Sequence, residues 1–240
     1  QALELQPGPF LLGEFSSADL VFVPYVERMA ASLAYYKGFL LRRQYPAIDR
    51  WFAALEQRPT YLGTQSDFHT HAHDLPPQMG GCYASGSEVQ RQLAARIDRG
   101  PWPIEAPDPE TSQAEPAHSA AVALGRVLKH RGPILARNPA GPAGFDLPLR
   151  TALTALIRGG ALLPPPPGSA ASLRYLRDRI SVPRDMPLHA ARRLRQALEA
   201  TAALDPQDGA LQGPAIPVAH RRDQDPQPFL QTPPRVLPLA

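Results

Sequence analysis

The residues best suited to chemistry are three histidines that alternate with other residues near position 70. They are His69, His71 and His73, and they lie between Asp67 and Asp74. On a helix, His69 and His73 would share one face at i, i+4, which is a usable metal pair, whereas on a strand all three would line one side. Two or three imidazoles with a carboxylate can bind zinc or copper. We take His69 and His73 as candidate metal ligands; the alternative is a polar helix or loop that binds no metal.

The single cysteine, Cys82, offers little chemistry. It lies between Gly81 and Tyr83 in a Gly-rich turn, with no evident helix N-terminus or cation to lower the pKa of its thiol. One cysteine also excludes an internal disulfide, which fits a reducing compartment. We therefore predict no catalytic residue and no bound cofactor in this chain.

Arginine is concentrated in the second half of the chain. The net charge is −4 over residues 1–110 and +7 over residues 111–240, an asymmetry that can indicate an anionic partner such as nucleic acid or acidic lipid. Only one aromatic residue, Tyr175, lies among these arginines, and no nucleic-acid motif accompanies them. We predict an ordinary charged helix surface that does not bind nucleic acid. The arginines are Arg174, Arg177, Arg179, Arg184, Arg192, Arg193 and Arg195.

A strong helix start precedes these residues in the sequence. Ser16 and Asp19 have capping-box spacing, in which the serine hydroxyl accepts from the backbone of Asp19 and the Asp19 carboxylate reaches back to the backbone of Ser16. Phe15 and Leu20 are spaced for a hydrophobic staple. The helix should run over residues 17–36, and its apolar residues cover most of its circumference, which predicts a buried helix.

The remaining pattern also predicts helices and no paired strands, so the fold class is all-α. Gly38 should end the first helix, and the second should lie between Pro46 and Pro59. Ser87 and Gln90 can cap a helix that ends near residue 98. We expect the prolines and glycines at 76–81 to break any helix. Further helical blocks are predicted at 118–131, 146–158, 170–180 and 187–204, the last with Asp185 as a plausible cap.

These elements suggest four segments. Residues 1–75 form a helical domain, and residues 76–117 are a linker that contains one short helix. Residues 118–205 form an Arg-rich helical extension. Residues 206–240 are rich in proline with little periodicity, which predicts a disordered tail. No run approaches the ~18 apolar residues of a membrane span, so no membrane association is expected.

Two stretches carry a family resemblance. Residues 13–28, GEFSSADLVFVPYVER, and residues 45–61, YPAIDRWFAALEQRPTY, resemble the core helix and the following helix of the glutathione transferase C-terminal domain. The shared features are the Ser-x-x-Asp box, the mid-helix proline and the Trp and Arg-Pro of the second stretch. The resemblance covers about residues 8 to 65. Residues 175–186 also resemble, more weakly, C-terminal extensions on glutathione transferase-like proteins of plants and algae.

The resemblance implies a parent protein that conjugates glutathione to hydrophobic electrophiles. In that family a thioredoxin-like domain binds glutathione and supplies the residue that activates the thiol. We expect this chain to lack that domain and the first two helices of the helical domain, so it should be inactive alone. The competing interpretation is a non-catalytic helical module for protein interaction, since the family's helical domain also serves that purpose in translation factors and other assemblies.

The same resemblance sets expectations for partners and location. The chain should need the missing thioredoxin-like domain or a partner chain, and a homodimer is possible because the first helix would otherwise expose apolar surface. Glutathione is implied only for the full-length parent. A cytoplasmic location is expected, with the chloroplast as the alternative that the plant-type extension suggests.

Overall fold

The computed structural model describes residues 2–79, 82–99, 109–158 and 163–207, and this part of the chain is helical without any strand. The predicted all-α class is confirmed. The predicted tail lies outside the described residues except for Pro206 and Gln207. A 3-10 turn forms at Ala2–Glu4 and a π-helical turn at Leu33–Lys37. The α-helices are α1 Ser17–Ser32, α2 Leu41–Gln44, α3 Pro46–Leu55, α4 Pro59–Leu62, α5 Phe68–Met79, α6 Glu88–Arg99, α7 Ser119–Lys129, α8 Arg131–Arg137, α9 Gly141–Arg158, α10 Ala170–Arg179 and α11 Leu188–Ala202.

The start of α1 is built around the buried carboxylate of Asp19. Its Oδ2 accepts from the backbone N–H of Ser16 at 2.9 Å and from the Ser16 hydroxyl at 3.1 Å. Its Oδ1 accepts from the backbone N–H of Leu11 at 3.0 Å and from the indole N–H of Trp51 at 2.8 Å. Burial alone would raise the pKa of Asp19, but these hydrogen bonds hold the pKa below its ordinary value. One carboxylate thus joins the N-terminal segment, α1 and α3.

The far end of α1 meets α6 at a glycine. Gly38 has a φ of +72°, and a Cβ at this position would lie 2.8 Å from the backbone nitrogen of Gln90. The residue must therefore be glycine for both reasons. The Gln90 side chain donates to the carbonyl of Tyr35 at 2.7 Å, while its backbone N–H donates to the Ser87 hydroxyl at 3.2 Å. The predicted cap of α6 forms through the Ser87 hydroxyl. The Gln90 side chain, however, does not bond back to Ser87 but binds the carbonyl of Tyr35 at the end of the first helical segment.

The prediction that α1 is buried all round is wrong on one face. Val23, Ala30 and Ala31 are buried, because α1 packs against α5 and α3 on that side. Leu20 is 58% exposed and Phe15 packs on Phe10 and Arg58, so the predicted staple is also wrong. Among the described residues nothing covers the exposed face. We call this face the open face; it consists of Val21, Phe22, Tyr25 and Met29, which lie within about 100° of one another around the helix axis, whereas Leu20 is exposed on another side of α1.

The prediction that Pro76 and Pro77 break the helix is also wrong, because α5 continues through them to Met79. A proline at position 76 cannot donate the helical hydrogen bond to the carbonyl of Ala72. The hydroxyl of Tyr36 supplies that bond instead, at 2.8 Å. A tertiary contact from the end of α1 therefore replaces the backbone donor that the sequence removes.

The second half forms its own apolar core around α11. Helices α7, α9 and α10 pack against it, with Phe145, Leu149, Leu173, Leu194 and Leu198 fully buried. The four predicted helical blocks are present. Helix α9 begins earlier than predicted, at Gly141, and the short α8 was not predicted. Asp185 does not cap α11, because its carboxylate accepts from the backbone N–H of Ser181 at 2.7 Å.

A buried ion pair joins the two halves. Arg195 of α11 contacts Asp67 at the start of α5, and the guanidinium also donates to the carbonyl of Ile180 at 2.6 Å. Asp67 Oδ1 accepts from the backbone N–H of Thr70 at 2.8 Å and so caps α5. Burial would raise the pKa of Asp67, but the charge of Arg195 lowers it below its ordinary value.

Removal of the Ser16 hydroxyl should weaken the start of α1. We expect Ser16→Ala to lower the free energy of unfolding by about 1 kcal/mol, measured by urea denaturation at pH 7. Ser17 is exposed at the next position, so Ser17→Ala serves as the control and should change the value by less than about 0.5 kcal/mol. Equal effects of the two substitutions would contradict the role given to Ser16.

Removal of the Tyr36 hydroxyl should destabilise α5. Tyr36→Phe keeps the ring but leaves the buried carbonyl of Ala72 without its donor, which should cost about 1–3 kcal/mol of unfolding free energy. Tyr83 is 84% exposed, so Tyr83→Phe is the control and should be neutral. Hydrogen exchange should locate the loss within residues 68–79, and uniform loss over the whole chain would argue against this explanation.

Candidate functional site

Two of the three histidines face the same side of α5, as the helical reading of the sequence predicts. His69 and His73 lie one turn apart with ring centroids separated by 4.7 Å. Asp98, near the end of α6, joins them, and one ligand atom from each of the three residues lies within 4.8 Å of the others. Of the described residues, no other group of three His, Cys, Asp or Glu side chains meets at such distances. We call these three residues the His–Asp cluster.

Hydrogen bonds fix the carboxylate of this cluster. His73 Nε2 lies 2.6 Å from Asp98 Oδ1, and the hydroxyl of Tyr35 donates to Asp98 Oδ2 at 2.9 Å. The Tyr35 ring packs edge-on against His73, with centroids 5.2 Å apart. Burial, together with the charge of Asp98, raises the pKa of Tyr35 well above its ordinary value. Tyr35 therefore keeps its proton and acts as a donor to Asp98.

The cluster has a closed side and an open side. His69 is buried, whereas His73 and Asp98 are half-buried. A second carboxylate stands behind His69, because Asp178 Oδ1 lies 3.7 Å from His69 Nε2. A cavity of about 20 Å³ also touches His69 and Asp67, which is room for about one water molecule. A ligand could therefore reach the cluster from the side of His73 and Asp98, which are partly exposed to solvent.

His71 points away from the cluster. Its Nε2 lies 3.0 Å from Glu27 Oε1 of α1, so the alternative in which three histidines line one side is wrong. Glu27 also accepts from the Tyr61 hydroxyl at 3.1 Å and from the backbone N–H of Ser66 at 2.6 Å. These contacts tie α1 to α5 on the side opposite the His–Asp cluster.

An open cleft lies beside the Glu27–His71 pair. Its volume is about 340 Å³, and its walls come from α1, α5 and the segment 181–184. This volume is at the lower end of the range for small-molecule sites. Its walls combine apolar and polar surface, and Glu27 is engaged by three hydrogen-bonding partners. The cleft thus offers space but no unengaged carboxylate for acid–base chemistry.

The arginines of the second half are mostly paired with acids. Arg174 and Arg177 contact Glu199, Arg192 contacts Glu110 at 2.8 Å, and Arg193 contacts Glu115 at 2.6 Å. Arg184 pairs with Asp185, Arg195 with Asp67, and Arg179 lies over the ring of Tyr175 at 5.1 Å. These contacts favour the prediction of an ordinary charged surface over a nucleic-acid interface.

The sequence predicted two of the three residues of the His–Asp cluster. His69 and His73 follow from i, i+4 spacing on one helix. Asp98 lies 25 residues after His73 in the sequence, and no spacing rule connects it to α5. Its only signal was its place at the predicted end of α6. Ser16 and Asp19, the other predicted residues, form the cap of α1 and are not part of the cluster.

Comparison with known proteins supports the family resemblance. Residues 1–54 match the family model of the glutathione S-transferase C-terminal domain. This part of the chain is therefore similar to that domain. No match was found among curated proteins or among solved structures. The resemblance of the second half to plant and algal extensions stays a prediction.

Within residues 2–79, 82–99, 109–158 and 163–207, no helix combines the length and the apolar character that crossing a membrane requires.

Proposed function

We propose that this chain is the helical part of a glutathione transferase-like protein whose parent conjugates glutathione to hydrophobic electrophiles. The observation that carries the proposal is the open face of α1, which lies inside the segment that matches the family. Tyr25 is 69% exposed and Val21 is 58% exposed. Four large apolar side chains on one helix face are typical of a surface that another domain covers.

The described residues do not contain a glutathione site of the family type. A thioredoxin-like domain is built on a β-sheet, and this part of the chain has no strand. In the proposal, the glutathione-binding domain is supplied from outside these residues and packs on or near the open face. Its arrival would bury Val21, Phe22 and Met29, at about 25 cal/mol for each Å² of apolar surface removed from water.

A non-catalytic interaction module is the second candidate. The open face favours it equally, because a partner protein could cover the same side chains. The two candidates predict different coding sequences immediately upstream of Gln1. An adjoining thioredoxin-like sequence would support the transferase, and the longer protein should then conjugate glutathione. A gene without such a sequence would favour the interaction module.

The purified chain should not conjugate glutathione by itself. We expect no turnover of a general electrophile above the uncatalysed rate and no retention on immobilised glutathione, because the described residues contain no strand of a thioredoxin-like domain. An intact glutathione transferase is the positive control. Turnover that copurifies with the chain through two different columns would contradict this expectation.

Charge on the open face should suppress self-association. We expect the wild-type chain to associate at high concentration and Phe22→Glu to reduce that association, with a change in unfolding free energy within about 0.5 kcal/mol. Leu147 of α9 has a similar exposure, 56% against 53% for Phe22, so Leu147→Glu is the matched control. Sedimentation velocity measures the effect. A wild-type chain that stays monomeric at every concentration would show that the open face needs no cover.

A further inference from the structure

We propose that the His–Asp cluster is a metal site that binds one Zn²⁺ ion through His69, His73 and Asp98. The three donor atoms already lie within 4.8 Å of one another. Four-coordinate zinc with bonds of ~2.0–2.2 Å places its ligands about 3.3–3.6 Å apart. The pair His73–Asp98, now at 2.6 Å, must therefore separate by roughly 1 Å, which side-chain torsions can supply.

The donor set selects the class of ion. Two imidazoles and one carboxylate suit zinc and related first-row metals, whereas calcium and magnesium prefer oxygen ligands alone. To bind zinc through Nε2, His73 would give up the proton that lies between Nε2 and Asp98 Oδ1, either to its own Nδ1 or to solvent. Because the carboxylate is ionised and the imidazoles are neutral in the bound form, the site would carry a net charge of about +1.

The surroundings position the ligands before any ion binds. Tyr35 holds Asp98 Oδ2 at 2.9 Å. Such an outer partner is usual around metal ligands and contributes to affinity. The contact between Gly38 and Gln90 fixes how α6 crosses the end of α1, and Asp67 fixes the start of α5. Each ligand is therefore on a helix whose position is set by a separate contact.

The open side of the cluster leaves one coordination position for solvent. His73 and Asp98 are half-buried and His69 is buried, so a fourth ligand would come from the exposed side. Three protein ligands with one solvent position is the arrangement of zinc sites that bind or activate a small molecule. This inference is independent of the proposed transferase function, because the open face of α1 and the His–Asp cluster share no residue.

Metal titration of the full chain tests the proposal. After treatment with a chelator, the wild-type protein should bind one equivalent of Zn²⁺ in competition with a chromophoric chelator, and Co²⁺ should give the intense visible bands of four-coordinate cobalt. His73→Gln and Asp98→Asn should each weaken binding at least about 100-fold, and Tyr35→Phe, which removes only the outer donor, about 10- to 100-fold. Zn²⁺ should raise the unfolding midpoint of the wild type but not of His73→Gln.

His71→Gln is the matched control, because His71 lies on the same helix but faces Glu27. It should bind Zn²⁺ within about threefold of the wild type. Circular dichroism of each metal-free variant checks folding, and Asp98→Asn decides the question if His73→Gln does not fold. The proposal is overturned if the wild type binds no stoichiometric ion, if Asp98→Asn binds as tightly as the wild type, or if His71→Gln weakens binding as much as His73→Gln.

Discussion

The buried pair of Asp67 and Arg195 is the constraint on which the arrangement of the two halves depends. Both side chains are almost fully shielded from water, so neither charge is tolerated without the other. The pair fixes α11 against the start of α5, and hence the whole second-half core against the segment that matches the glutathione transferase helical domain. Ser66 and Thr70 add hydrogen bonds to the backbone of Val182 at 2.5 and 3.0 Å. The extension therefore packs near the start of α5 and on α6, and it leaves the open face of α1 uncovered.

Local signals in the sequence predicted the helices well where they involved few residues. The Ser16–Asp19 box, Gly38 and Pro46 each mark an end that the structure contains, because caps and glycines act within one turn. Local signals failed for α5, since the consequence of Pro76 depends on a hydroxyl 40 residues earlier in the chain. They also failed for the open face, because an apolar helix predicts burial but does not say which neighbours are present.

Local spacing in the sequence likewise predicts some residues of the candidate site and misses others. The i, i+4 spacing of His69 and His73 is a property of one helix and could be recognised in advance. Asp98 and Tyr35 join them only because α6 crosses the end of α1, which no periodicity encodes. The arginines of the second half could be counted in the sequence, and their number suggested a basic surface. Their acidic partners could not be predicted, because those partners come from four different segments of the chain. Composition predicted the charge of the second half but not that six of the seven arginines within residues 174–195 pair with an acid.

The close contact between Gly38 and Gln90 sets the distance between α5 and α6, the two helices that carry the cluster. From Gln90, which touches Gly38, to Asp98 is eight residues of helix, or about 12 Å. Helix α6 is rigid over this length, so a shift at Gln90 is transmitted to Asp98. A methyl group on residue 38 would push against Gln90 and tilt α6, and the displacement would be greatest where Asp98 meets the two imidazoles.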